Sequence, residues 1–156
     1  MKTTKILLMQ IKSLTIIESF DSATNDQLNQ FEDQFAIELP CDFKLFLSTQ
    51  NVYVVEENCF LKDRSSYEVH HFYPLHDKSE MSLFIIFEAL GEYFENSYIP
   101  FADDSGGWQY LISVRKEDYG KVYFCRMDEE LRDGLTLLAN NFTEFINGLK
   151  KETPLV

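Results

Sequence analysis

The stretch TNDQLNQFEDQFAIELPCDFKLFL, from Thr24 to Leu47, decides the fold. Thr24-Asn25-Asp26-Gln27 has the form of a capping box, in which the Thr hydroxyl takes an orphan N–H and Gln27 reaches back. Leu28, Phe31 and Phe35 then fall three and four apart, on one face of a helix. Glu32 and Asp33 lie off that stripe. Pro40 interrupts the pattern and opens a second short helix, in which Phe43, Phe46 and Leu47 repeat the helical spacing. Two short amphipathic helices joined by Ala36-Ile37-Glu38-Leu39 cannot bury their apolar faces alone. They need a further layer, and the rest of the chain must supply it.

Downstream, short apolar runs alternate with turn residues. Cys59–Leu61, Tyr67–Leu75 and Tyr98–Ala102 read as strands, the second rich in aromatics and ended by Pro74. Trp108, Tyr110, Ile112 and Val114 alternate with Gln109, Leu111 and Ser113, which is strand periodicity. Val122 and Phe124 alternate with Lys121, Tyr123 and Cys125 on the next strand. Asp103-Asp104-Ser105-Gly106-Gly107 and Glu117-Asp118-Tyr119-Gly120 are the intervening turns. Leu83, Ile86, Phe87, Leu90 and Phe94 have helical spacing. Asn141 with Glu144 caps a last helix whose stripe is Phe142, Phe145, Ile146 and Leu149, with Lys150 and Lys151 suited to its C-terminal dipole. The expected fold is α+β: a mostly antiparallel or mixed β-sheet packed by two short N-terminal helices, a middle helix and a C-terminal helix. No repeat or Gly/Ser-rich linker divides residues 1–156, so they read as one domain with an N-terminal arm over 1–23.

With 156 residues the chain can build one sizeable core. Its 14 Lys and Arg against 26 Asp and Glu leave a formal charge of −12. Such a chain has no general attraction for phosphate backbones, so nucleic acid is not the expected partner; basic protein surfaces are. The N-terminal run Ile6-Leu7-Leu8-Met9 is short, is followed by Gln10 and Lys12, and has no small-residue cleavage site after it, so a signal peptide is not expected. Leu83–Phe87 is far too short to span a bilayer. Cys41, Cys59 and Cys125 cannot all pair and show no CxxC; the expectation is three reduced thiols in a cytoplasmic protein.

No constellation marks catalysis. His70, His71 and His76, with Cys59 upstream, invite a metal reading. Adjacent residues on a strand face opposite ways, however, so His70 and His71 are not expected to share an ion. No Gly-x-Ser-x-Gly elbow is present. The 103–107 segment lacks the spacing and closing glutamate of an EF-hand, and Gly106-Gly107 lacks the following Lys-Ser/Thr of a phosphate loop; a tight turn is expected there. The acidic groups Glu56, Glu57, Asp103, Asp104, Asp128, Glu129 and Glu130, placed in loops and at strand ends, are the candidate partner-binding residues. Catalytic residues, metal ligands and cofactors are not expected.

Several segments together resemble the SUKH superfamily. Glu32 to Leu47, with Leu39-Pro40 followed by Phe43 and Phe46-Leu47, resembles its opening signature. His71-Phe72-Tyr73-Pro74-Leu75 is similar to its next strand. Tyr98-Ile99-Pro100-Phe101-Ala102-Asp103-Asp104-Ser105-Gly106-Gly107 resembles its Ile-Pro-x-Ala-x-Asp-x-Gly-Gly segment. Gly120 to Phe124 resembles its Gly-x-Val-x-Phe strand, and Ala139 to Ile146 its closing Phe-x-x-Phe helix. The resemblance runs in order over 24–149. It departs at Ala36, where the family usually has glycine, and at Asn51-Val52, where it has Asn-Gly. The resemblance implies a non-catalytic protein-binding fold without a general cofactor. Bacterial members are immunity proteins against polymorphic toxins, often nucleases, and fungal relatives are regulators acting through protein partners. The expected role is therefore stoichiometric neutralisation of a cognate toxin in the cytoplasm; the alternative is a regulatory scaffold for an endogenous partner.

Overall fold

The computed structural model describes residues 10–76 and 81–152; the apolar run Ile6-Leu7-Leu8-Met9 lies outside them. In chain order the elements are β1 (Ile16–Ser19), α1 (Asn25–Phe35), α2 (Cys41–Thr49), β2 (Val52–Val55), β3 (Cys59–Lys62), β4 (Ser65–Glu68), β5 (His71–Phe72), α3 (Leu83–Leu90), β6 (Tyr98–Asp103), β7 (Gln109–Ser113), β8 (Val122–Cys125), α4 (Leu131–Gly134), β9 (Leu135–Ala139) and α5 (Phe142–Gly148). The fold is α+β. Strands β5-β6-β7-β8-β9 form one antiparallel sheet in that order, while β1–β2 and β3–β4 form two antiparallel pairs.

The capping box forms at the start of α1. The Thr24 hydroxyl accepts the Gln27 N–H at 3.1 Å, and the Gln27 side chain accepts the Thr24 N–H at 2.9 Å. Phe31 is fully buried, and its ring packs on Phe35, Phe84 and Phe87, which seats α1 on α3. The chain leaves α1 through Ala36 in the left-handed conformation, φ 53°. Glu32 holds the corner that follows: its carboxylate accepts the Leu39 N–H at 2.8 Å and lies 3.4 Å from Lys44 Nζ. Pro40 then caps α2. Phe43 and Phe46 meet the ring of Phe142 on α5, each at 5.0 Å. Asp42 ties the same two helices by accepting both the backbone N–H and the hydroxyl of Thr143 at 3.0 Å.

The aromatic layer beneath these helices is the main core: Phe101 on β6 contacts Phe43, Phe142, Phe145 and Tyr110. Strand β7 is buried at all five positions. Tyr110 and Ile112 face the main core, and Leu111 faces a second cluster with Phe94, Tyr98 and Cys125. The period-two pattern of this segment thus marks two covered faces, since both sides of a central strand carry apolar layers.

Three readings change. The run Tyr67–Leu75 is not one strand. Strand β4 pairs with β3 from Cys59↔Glu68 to Lys62↔Ser65, around a turn at Asp63 and Arg64 with φ of 49° and 69°. The chain then crosses at Val69-His70 to join β6 as β5. A two-residue hairpin needs positive φ at its centre, and Asp-Arg carries no glycine to announce it. Strands β1, β2 and β9 and helix α4 are additional elements. Finally, α5 ends at Gly148, and Lys150 lies beyond it in a bridge with Cys59, the two exchanging backbone hydrogen bonds of 2.8 and 3.0 Å.

Candidate functional site

Among the hollows on the described surface are two that carry polar groups. The larger is a groove of about 460 Å³ between the β1–β2 pair, the β4–β5 crossing and the chain after α5. Val52 is buried in the core, Val55 is buried yet borders the groove, and the half-buried Val54 lines the groove beside Ile17. All four residues of β1 are exposed, and Ile17 reaches 64%. Thr15 anchors this region: its backbone N–H and hydroxyl both donate to the Glu57 carboxylate, at 2.8 and 3.0 Å. Burial works to raise the Glu57 pKa, but these hydrogen bonds prevail and hold it below the ordinary glutamate value.

The groove carries Glu56, Glu68 and Glu152 against one ammonium, Lys151. Lys151 Nζ stands 3.9 Å from Glu56, with 61% of its side chain exposed. Glu68 accepts the Ser105 N–H at 3.0 Å; the hydrogen bonding from Ser105 lowers its pKa. Through this bond the 103–107 turn sits at the groove's margin. His70 and His71 also line it.

Their rings lie 3.9 Å apart, which corrects the expectation of opposite faces. Only His71 belongs to a strand; His70 is in the crossing before it, and its N–H bonds to the Asp103 carbonyl at 2.8 Å. His71 is sandwiched further: Tyr53 stacks on it at 4.6 Å and 6°, and its Nδ1 lies 3.4 Å from Asp103 Oδ1. Asp103 also accepts the His71 N–H at 3.0 Å. Burial raises the Asp103 pKa, with His71 opposing. Among the described residues no three His, Cys, Asp or Glu side chains gather as a metal site.

The second hollow, about 390 Å³, lies on the sheet's other face and is lined by Tyr98, Arg115, Tyr123, Leu131, Arg132 and Leu135, among others. Several of its polar groups are engaged. Arg115 donates to the Tyr98 hydroxyl at 2.8 Å and to Glu117, while Asp118 accepts from Ser113 at 2.5 Å and Tyr123 at 2.6 Å.

The seven acidic residues named from sequence therefore fall into two sets. Glu56 lies in the groove, Glu57 is engaged with Thr15 beside it, and Asp103 stands behind His71. Asp104 is used by its own turn, accepting the N–H groups of Gly106 and Trp108 at 3.0 and 2.8 Å, with Gly107 at φ 89°. Asp128, Glu129 and Glu130 follow β8 and lie outside the groove; Glu129 pairs with Arg126 at 2.5 Å. Sequence reading missed Glu68 and Glu152 as groove residues. Glu68 sat inside a run taken as one strand, and Glu152 carried no distinguishing signal.

A family model described as SMI1 / KNR4 family (SUKH-1) matches residues 22–148. The chain belongs to this family. No curated protein matches it. The segments that carry the SUKH resemblance are accounted for by architecture. Glu32 clamps the helix corner, Leu39 is buried behind it, and Phe142 and Phe145 fill the core. Asn51, 2% exposed, bonds to the Leu75 backbone at both ends of its amide and to the Asp21 carbonyl. This SUKH-1 chain thus uses most of its signature on the scaffold; His71 is the signature residue that also lines the groove, whose carboxylates Glu56, Glu68 and Glu152 lie outside the quoted segments.

Proposed function

We propose that this SUKH-1 protein is an immunity protein, which binds one cognate polymorphic toxin domain stoichiometrically in the cytoplasm and blocks its active site or substrate approach. The match over residues 22–148 carries the reading. The charge of −12 supports it, because a nuclease-type toxin presents a basic substrate surface that an acidic plug occupies and screens. The chemistry is non-catalytic: association alone withholds the toxin from its substrate. Acidic residues at the groove and after β8 are the proposed contact groups.

The test is an activity titration. The toxin domain encoded beside this gene is assayed on nucleic acid with increasing amounts of the purified protein. Activity should fall to background near one equivalent; full activity at excess protein would refute the reading. The second reading, a regulatory scaffold for an endogenous protein, rests on the SMI1 / KNR4 branch of the family name. Gene neighbourhood separates the two: a large multidomain secreted toxin adjacent supports immunity, and an isolated housekeeping context supports regulation.

A further inference from the structure

The groove beside β1 has features beyond a collection of acids. One part of its wall is apolar, formed by Ile17, Val54 and Val55, with Ile17 and its neighbour Ile16 exposed. β1 pairs with β2 only, among the described strands. Its lining includes Glu56, Glu68 and Glu152 together with Lys151, whose ammonium approaches Glu56. The Lys151–Glu56 approach is loose at 3.9 Å and lies at the surface, so an exposed ammonium is held there weakly.

We infer that this groove is the docking surface for an arginine-bearing extended segment of the partner, and that Lys151 occupies the cation position until the partner's guanidinium displaces it. The inference rests on the protein-partner reading above and adds the surface and the recognised side chain. Three carboxylates facing one ammonium give the charge complementarity. A guanidinium offers two donor edges and a flat face, so it can reach Glu56 and Glu68 while lying against the His70 ring. An ammonium can do only the first of these. The apolar wall takes the aliphatic stem and a neighbouring apolar side chain.

Three single substitutions separate this from general acidity. Glu68→Gln keeps an oxygen for the Ser105 N–H, and Glu56 and Lys151 are exposed, so the fold is retained; thermal melts verify it. The probe is a blocked peptide alternating arginine with valine, followed by amide chemical shifts in the 15N-labelled protein. Shifts should centre on Val54, Glu56 and His70. Glu56→Gln and Glu68→Gln should each weaken binding by about threefold, and Lys151→Ala should tighten it by about twofold. A lysine–valine peptide should bind more weakly. Opposite signs from Glu56→Gln and Lys151→Ala are the decisive result. Equal affinity in all four proteins, shifts centred on the second hollow, or no shifts at millimolar peptide would each overturn the inference. If the wild type neutralises its toxin while the groove variants do so equally well, the docking inference falls and the immunity reading stands. If the wild type leaves the toxin fully active while the peptide results hold, the immunity reading falls alone.

Discussion

Ala36 sits at φ 53° and ψ 45°, the left-handed region that costs a residue with a Cβ roughly 1–2 kcal/mol. Its N–H still closes onto the Glu32 carbonyl, so the helix end is made despite the strain. Glycine relieves the clash and loses some of that gain to unfolded-state entropy. Ala36→Gly should therefore raise stability by about 1 kcal/mol in denaturant unfolding. A neutral or lower midpoint would mean that the corner is set elsewhere, by Glu32 and Leu39-Pro40. Asp118 makes a different prediction. Burial pushes its pKa up, but hydrogen bonds from Ser113 and Tyr123, with Arg115 nearby, bring it below the ordinary value of 3.8. A folded pKa below the unfolded one stabilises the fold above the unfolded value, and that stabilisation is lost as pH falls through the folded value. Glu57 and Glu68 act in the same sense from 4.5. Asp118→Asn should then lower the melting temperature at pH 7 and make the acid limb shallower, with the two proteins converging at low pH. Parallel curves at all pH values would contradict the assignment.

At the scale of elements, the junction of α4 and β9 is tight. A Cβ built on Gly134 would overlap the Arg126 carbonyl oxygen, which is backbone and has no rotamer with which to retreat. The Arg126 N–H also donates to the Gly134 carbonyl at 3.0 Å, so the two segments cannot part without losing that bond. Gly134→Ala should destabilise by about 1–3 kcal/mol. Gly106→Ala is the control: its nearest neighbour would be Asp104 at 3.6 Å, and a change within about 0.5 kcal/mol is expected. Elements whose signals are local were legible in the sequence. Thr24 and Gln27 announced α1, Asn141 announced α5, and alternation announced β7. Elements defined by distant partners were not. β1 and β9 are short, and their pairing with β2 and β8 creates them. The hairpin of β3 and β4 turns on Asp63-Arg64, residues that adopt positive φ only because the ladder on either side compels it.

For the whole molecule, most of the sequence's aromatic richness resolves into the main core, with Phe94 and Tyr98 in a second cluster on the sheet's other face. Rings from α2, α5, β6 and β7 meet in the main core, and Phe142 alone touches Phe43, Phe46 and Phe101. The same sequence gave no view of convergence among its acids. Which carboxylates share a surface depends on the crossing at Val69-His70 and on where the chain runs after α5, both long-range outcomes. Glu56, Glu68 and Glu152 come together from positions nearly a hundred residues apart. Net charge was legible and its placement was not, which is why the expected acidic set includes groups that the structure does not bring together. The central claim is that this molecule acts by acid-assisted association with a protein. Calorimetric titration of a toxin domain found encoded beside its gene, repeated at rising ionic strength, tests it most directly. The account predicts saturation at one-to-one stoichiometry with affinity falling as salt rises; heats no different from dilution at every salt concentration would contradict it.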